Sequence, residues 1–225
     1  MLGVTLLPLW VRRAGPIRAP WLLLPMDDVQ TEHLKAYGVT YRAIGRGVKA
    51  EWLLNYRGGS FLLPNETATA RDAALAGVTV EGLDDGAVMA IRGEIAGANM
   101  DAVPLEKSPP NAAPWDDAVT MALNYAGIPF DKLWDAEVAR DGLRTYDWLH
   151  LHHEDFTGQF SKFYLNYAGA PWLADMVNRN REAATKLGFA NVAALKRGVS
   201  NASAAFVDRG GFLFAEYDLA PHHVR

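Results

Sequence analysis

Asp147 to Gln159 reads Asp-Trp-Leu-His-Leu-His-His-Glu-Asp-Phe-Thr-Gly-Gln and brings three of the chain's six histidines beside two adjacent carboxylates. Imidazole and carboxylate at this density can ligate a metal, shuttle protons or hold a polar ligand. Tyr146, Trp148, Leu149 and Leu151 supply strand-forming bulk, which predicts a strand from Tyr146 to about His152. Alternation along that strand puts His150 and His152 on one face with Trp148 and turns His153 the other way. Glu154 and Asp155 then fall just past the strand, with Thr157 and Gly158 in the turn beyond. In open α/β sheets this carboxyl edge is where ligands bind. His150, His152, His153, Glu154 and Asp155 are therefore the candidate catalytic residues, and His150, His152 and Glu154 are one candidate metal set. The plainer explanation is that polar residues gather at an exposed strand end and that a core histidine is satisfied by backbone groups.

Asn55-Tyr56-Arg57-Gly58-Gly59-Ser60 is a second candidate. Two glycines let backbone N–H groups approach an anion, and Arg57 adds a charged fork. The competing reading is an ordinary Gly-Gly turn between two extended segments. Trp115-Asp116-Asp117 and Asp27-Asp28 open predicted helices, where capping and the helix dipole already favour carboxylates. Trp115 and Asp116 join Arg57, Gly58, Gly59, Thr157 and Gly158 as candidate ligand-binding residues. His222 and His223 belong to a terminal tail and carry little signal. No Gly-x-Ser-x-Gly elbow occurs, and Ser60 lacks the strand–turn–helix context of a catalytic serine.

These groups must be held by elements that alternate along the whole chain. Trp21–Leu24 predicts a strand. A helix to about Arg46 follows, with Leu34, Tyr37, Tyr41 and Ile44 on its stripe, and Ala50 to Asn55 resumes as a strand. Such a β-α-β unit with short connections is the signature of a parallel sheet. An extended Ser60 to Leu63, helices near 66–76 and 84–95, and strands near 78–83 and 101–105 complete a first lobe, 21–106, after a leader at 1–20. Lys107 to Pro114 contains three prolines and predicts a linker, since such a run cannot continue a helix or a central strand. The second lobe, 115–225, alternates again: helix to Ala126, strand 130–134, helical turn 136–140, the histidine strand, helices 160–167, 171–187 and 191–208, and strand 212–215. The expected class is α/β, a three-layer Rossmann/flavodoxin-like fold in two lobes.

Half of the residues are hydrophobic and 21% are charged, as in an ordinary globular chain. The formal net charge of -4, with a pI near 5.9, argues against nucleic acid as a partner. There is no cysteine, so disulfides, thiolate zinc sites and cysteine nucleophiles are excluded within the chain. Met1 to Trp10 is apolar, but Arg12, Arg13 and Arg18 follow it, the reverse of a signal peptide, and the compartment stays open between cytoplasm and export. No apolar run is long enough for a transmembrane segment. A small polar molecule is the partner class these residues suit; a divalent metal is the one cofactor suggested, and the oligomeric state is open.

Five stretches together resemble one bacterial family. They are Leu24-Pro25-Met26-Asp27-Asp28-Val29-Gln30, His33-Leu34-Lys35-Ala36-Tyr37-Gly38, Glu51 to Leu62, Pro114 to Thr120, and Asp147 to Gln159. The family is catalogued as "asparagine synthetase B", and its fold looks like that of class I glutamine amidotransferases. The resemblance covers about Trp21 to Ala215 and implies that fold. Four features depart from what the label and the resemblance imply. A glutamine-hydrolysing asparagine synthetase needs a cysteine after Met1, where this chain has Leu2, and a Ser-Gly-Gly-x-Asp-Ser type loop, which is absent. The resemblance would place a Met-Cys-Ser turn after Phe212–Ala215, where this chain reads Glu216-Tyr217-Asp218-Leu219. Relatives also carry an apolar strand where Lys107 to Pro114 reads as a linker. The resemblance thus implies a shortened, frameshifted or divergent member without glutaminase activity. A metal-dependent hydrolase at the histidine strand and a non-catalytic binding module around Arg57–Gly59 and Glu154–Asp155 are the alternatives.

Overall fold

The computed structural model describes residues 19–113, 118–151, 167 and 169–215. The chain is mixed α/β and divides into two compact units, Met1–Ala36 with Arg46–Glu106 and Tyr37–Gly45 with Lys107–Arg225. The expected leader, apart from its last two residues, lies outside the described residues, as does most of the helix expected at 160–167. Among the described residues no helix is long and apolar enough to cross a membrane.

In the first unit, β1 (Trp21–Leu24), β2 (Ala50–Leu54), β3 (Ser60–Pro64), β4 (Glu81–Leu83) and β5 (Asp101–Leu105) form one sheet in the order β4-β1-β3-β2-β5. Every neighbouring pair is antiparallel, with Leu23 opposite Leu62 and Trp52 opposite Phe61. This corrects the parallel sheet expected from the β-α-β pattern. β1 and β2 do run the same way, but β3 lies between them, the split arrangement of βαββαβ chains. The reason is local: residues 55–59 are too few for a crossover, so β3 can only pair back onto β2 as a hairpin. α2 (Thr67–Ala76) then leads to β4 at one edge, and α3 (Asp85–Ala96) leads on to β5 at the other. α3 starts where the Asp84 carboxylate accepts the Ala87 N–H at 2.8 Å. Its Val88, Ile91 and Ile95, at helical spacing, pack on Leu23, Leu53 and Leu62. Each such side chain contributes about 1.5–3 kcal/mol when fully buried. Pro104 is confined to the edge strand β5, where its missing N–H costs no central ladder bond.

In the second unit, β6 (Asn111–Ala113), β7 (Asp131–Lys132), β8 (Trp148–Leu151) and β9 (Phe212–Ala215) form a sheet in the order β7-β6-β8-β9, all parallel. Here β6 corrects the linker expected at Lys107 to Pro114. Pro109, Pro110 and Pro114 bracket three residues that keep their N–H groups, enough for a short central strand. The Pro110 carbonyl meanwhile accepts the Asp147 and Trp148 N–H groups at 3.2 and 3.3 Å. α4 (Ala118–Ala126) joins β6 to β7, α5 (Asp135–Ala139) follows β7, and α6 (Pro171–Lys186) and α7 (Val192–Asp208) precede β9. Ala112 and Leu149 pack with Val138, Leu195, Val199 and Phe206 in one apolar core.

α1 (His33–Gly45) differs from expectation in its buried face. Of the expected stripe, Ile44 is buried and Tyr41 half-buried, but Leu34 and Tyr37 are exposed, and Ala36, Val39, Thr40 and Ala43 are buried instead. Small side chains on this face permit close approach. A Cβ on Gly38 would overlap the Ala126 carbonyl at the end of α4. The Arg42 guanidinium caps the same helix end, donating to Ala126 O at 3.1 Å and Gly127 O at 2.9 Å.

Candidate functional site

β8 is held on both sides, by β6 through Asn111–Trp148 and Ala112–Leu149 pairing and by β9 through Trp148–Phe212 to Leu151–Ala215. Leu149 belongs to the apolar core, so alternation sends Trp148 and His150 to the opposite face, as the sequence predicts. There Phe214 meets both of them, the Trp148 ring edge-on at 6.4 Å and the His150 ring at 5.5 Å. His150 is only 3% exposed. Its ring is packed within the sheet face rather than presented to solvent. His152, His153, Glu154, Asp155, Thr157 and Gly158, and likewise Trp115, Asp116 and Asp117, lie outside the described residues, as do His222 and His223. Among the described residues, no group of three or more His, Cys, Asp and Glu side chains could hold a metal ion.

β6 and β8 are neighbours whose connections lead to opposite sides of the sheet: β6 continues through α4 to β7, and β8 continues to β9 beyond it. The chain leaves both strands at the same, carboxyl edge because they are parallel. In sequence, Trp115 and Asp116 come one residue after β6, and the His152–Gly158 string directly after β8.

A hollow of about 530 Å³ opens at the other, amino end of β8 and β9. Pro109, Trp148, Phe212 and Phe214 give it an apolar wall, and Lys107 and Asp147, ion-paired at 2.6 Å, add its charge. Phe212 is 73% and Phe214 46% exposed, unusual for aromatic residues of a parallel strand.

The Arg57–Gly59 turn lies in the first unit, and its donors point at the chain's own acceptors. The Arg57 guanidinium bonds Asp27 Oδ2 at 2.6 Å, Asp27 Oδ1 at 3.3 Å and Glu81 Oε2 at 2.8 Å. The Gly59 N–H donates to Tyr56 O at 3.0 Å, and the Arg57 carbonyl accepts the Met26 N–H at 3.1 Å. Asn55, Arg57, Gly58 and Gly59 all have positive φ. For Gly58 the reason is contact, since a Cβ there would overlap the Met26 carbonyl. The bond from Arg57 holds the Asp27 carboxyl below the usual carboxylate range, while hydrogen bonding to Glu81 and then Asp27 raises the guanidinium's own value. This is the geometry of a turn lock. An anion arriving here would compete with two resident carboxylates.

Sequence reasoning treated Asp27 as a helix cap and did not find its pairing with Arg57. It also missed the most buried ion pair among the described residues, Lys196 Nζ to Asp135 Oδ2 at 2.7 Å, with side chains 8% and 11% exposed. A signal was available: Lys196 sits on the stripe Leu195, Val199, Ser203 and Phe206 that α7 buries. A lysine there needs a partner. Beside this pair, the Arg179 guanidinium lies 4.9 Å from the Trp134 ring.

Compared with protein-family models, curated proteins and solved structures, the chain matches none of them.

Proposed function

We propose that the second unit is a three-layer, Rossmann/flavodoxin-like unit of the class I glutamine amidotransferase type, in the family labelled "asparagine synthetase B". It takes a small polar ligand at the carboxyl ends of β6 and β8 without hydrolysing glutamine. The supporting observation is the strand order β7-β6-β8-β9, with its reversal between β6 and β8. In parallel α/β sheets, connections that diverge at such a reversal leave a crevice, and ligands bind there. In sequence, Trp115 and Asp116 follow β6, and His152, His153, Glu154 and Asp155 follow β8. In this reading His150 positions the strand end from within the sheet, since its ring is packed against Phe214. Amidotransferase hydrolysis of glutamine needs a thiolate that forms an acyl intermediate, and this chain has no cysteine to provide one.

Two assays test the proposal together. Purified protein incubated with L-glutamine is expected to release no ammonia above a protein-free control; saturable release would overturn the inactive reading. L-glutamine or L-asparagine is expected to raise the melting temperature, and Asp116→Ala to abolish the rise. No rise with either amide would overturn the ligand reading. The alternative, a divalent-metal hydrolase at His150, His152, His153 and Glu154, predicts stoichiometric metal in the wild type and its loss in His152→Ala.

A further inference from the structure

We draw no further inference here: the strongest candidate, the apolar hollow beside β9, the last strand of its sheet among the described residues, with Trp148, Phe212 and Phe214 on its wall, carries nothing because nothing in the structure shows what covers it.

Discussion

The two sheets come from similar sequence, short apolar strands separated by helices, yet one pairs entirely antiparallel and the other entirely parallel. The difference traces to one connection. In the first unit residues 55–59 turn too tightly for a crossover, and the resulting hairpin inserts β3 between β1 and β2. In the second unit each strand-to-strand connection carries a helix, so parallel pairing is the available outcome. The edges differ too. β4 and β5 bring Glu81, Asp101 and Pro104 to the borders of their sheet, the residue types that discourage further pairing. β9 borders its sheet with Phe212, Leu213 and Phe214.

The Lys196–Asp135 pair of the second unit is more buried than the Arg57 pairs of the first, and that sets the largest expected effect. Lys196→Ala strands the buried Asp135 carboxylate and should cost about 3–5 kcal/mol in urea unfolding. Replacing both partners, Lys196→Met with Asp135→Leu, should recover most of that loss. If Lys196→Ala costs under about 1 kcal/mol, the pair does not hold α5 to α7 as described.

Gly58→Ala and Gly47→Ala both place a side chain at positive φ, a strain of about 1–2 kcal/mol. Only Gly58 also meets a carbonyl, whereas nothing lies near a Cβ on Gly47. Gly58→Ala should therefore be the more destabilising by a further 1–3 kcal/mol or so. Equal costs would remove the close approach to Met26 from the account.

How much of this was legible in the residues follows the same division. β5 and β9 have the expected bounds, β9 directly after the Gly210-Gly211 pair, and the caps Asp84 and Asn191 mark the starts of α3 and α7. Trp148 and His150 share a face because a strand leaves no other choice. Partner choice was not legible: a β-α-β pattern is satisfied equally by adjacent parallel strands and by strands with a third inserted. β6 was hidden because three residues between prolines are too short for any periodicity. The buried face of α1 was misassigned at Leu34 and Tyr37, though not at Ile44, because its packing there selects smaller residues. Of the candidate site, the position of His150 was legible and its burial was not, since burial depends on Phe214, distant in sequence.

A smaller effect separates the half-exposed Arg57 network from the buried pair. The Asp27 value is depressed in the folded state, so its contribution is present above the usual carboxylate range, about pH 4, and is lost as pH falls through the depressed value. The stability gap between wild type and Asp27→Asn should therefore be steady near neutrality and shrink under acid. A gap that widens on acidification would contradict the Arg57 bond as its source. Smallest of all, Phe212→Lys should change unfolding free energy by no more than about 0.5 kcal/mol, because the side chain is already largely exposed. It should lower light scattering on heating, since a charge guards an edge strand; a large loss of stability would mean that Phe212 is packed.

The most direct test of the proposed ligand edge is to follow backbone amide resonances while L-glutamine is added. The account predicts saturable shifts at Ala113 and Leu151, the carboxyl ends of β6 and β8, with the Arg57–Gly59 turn and Phe212 unmoved. Shifts centred on Arg57–Gly59, or none anywhere, would contradict it.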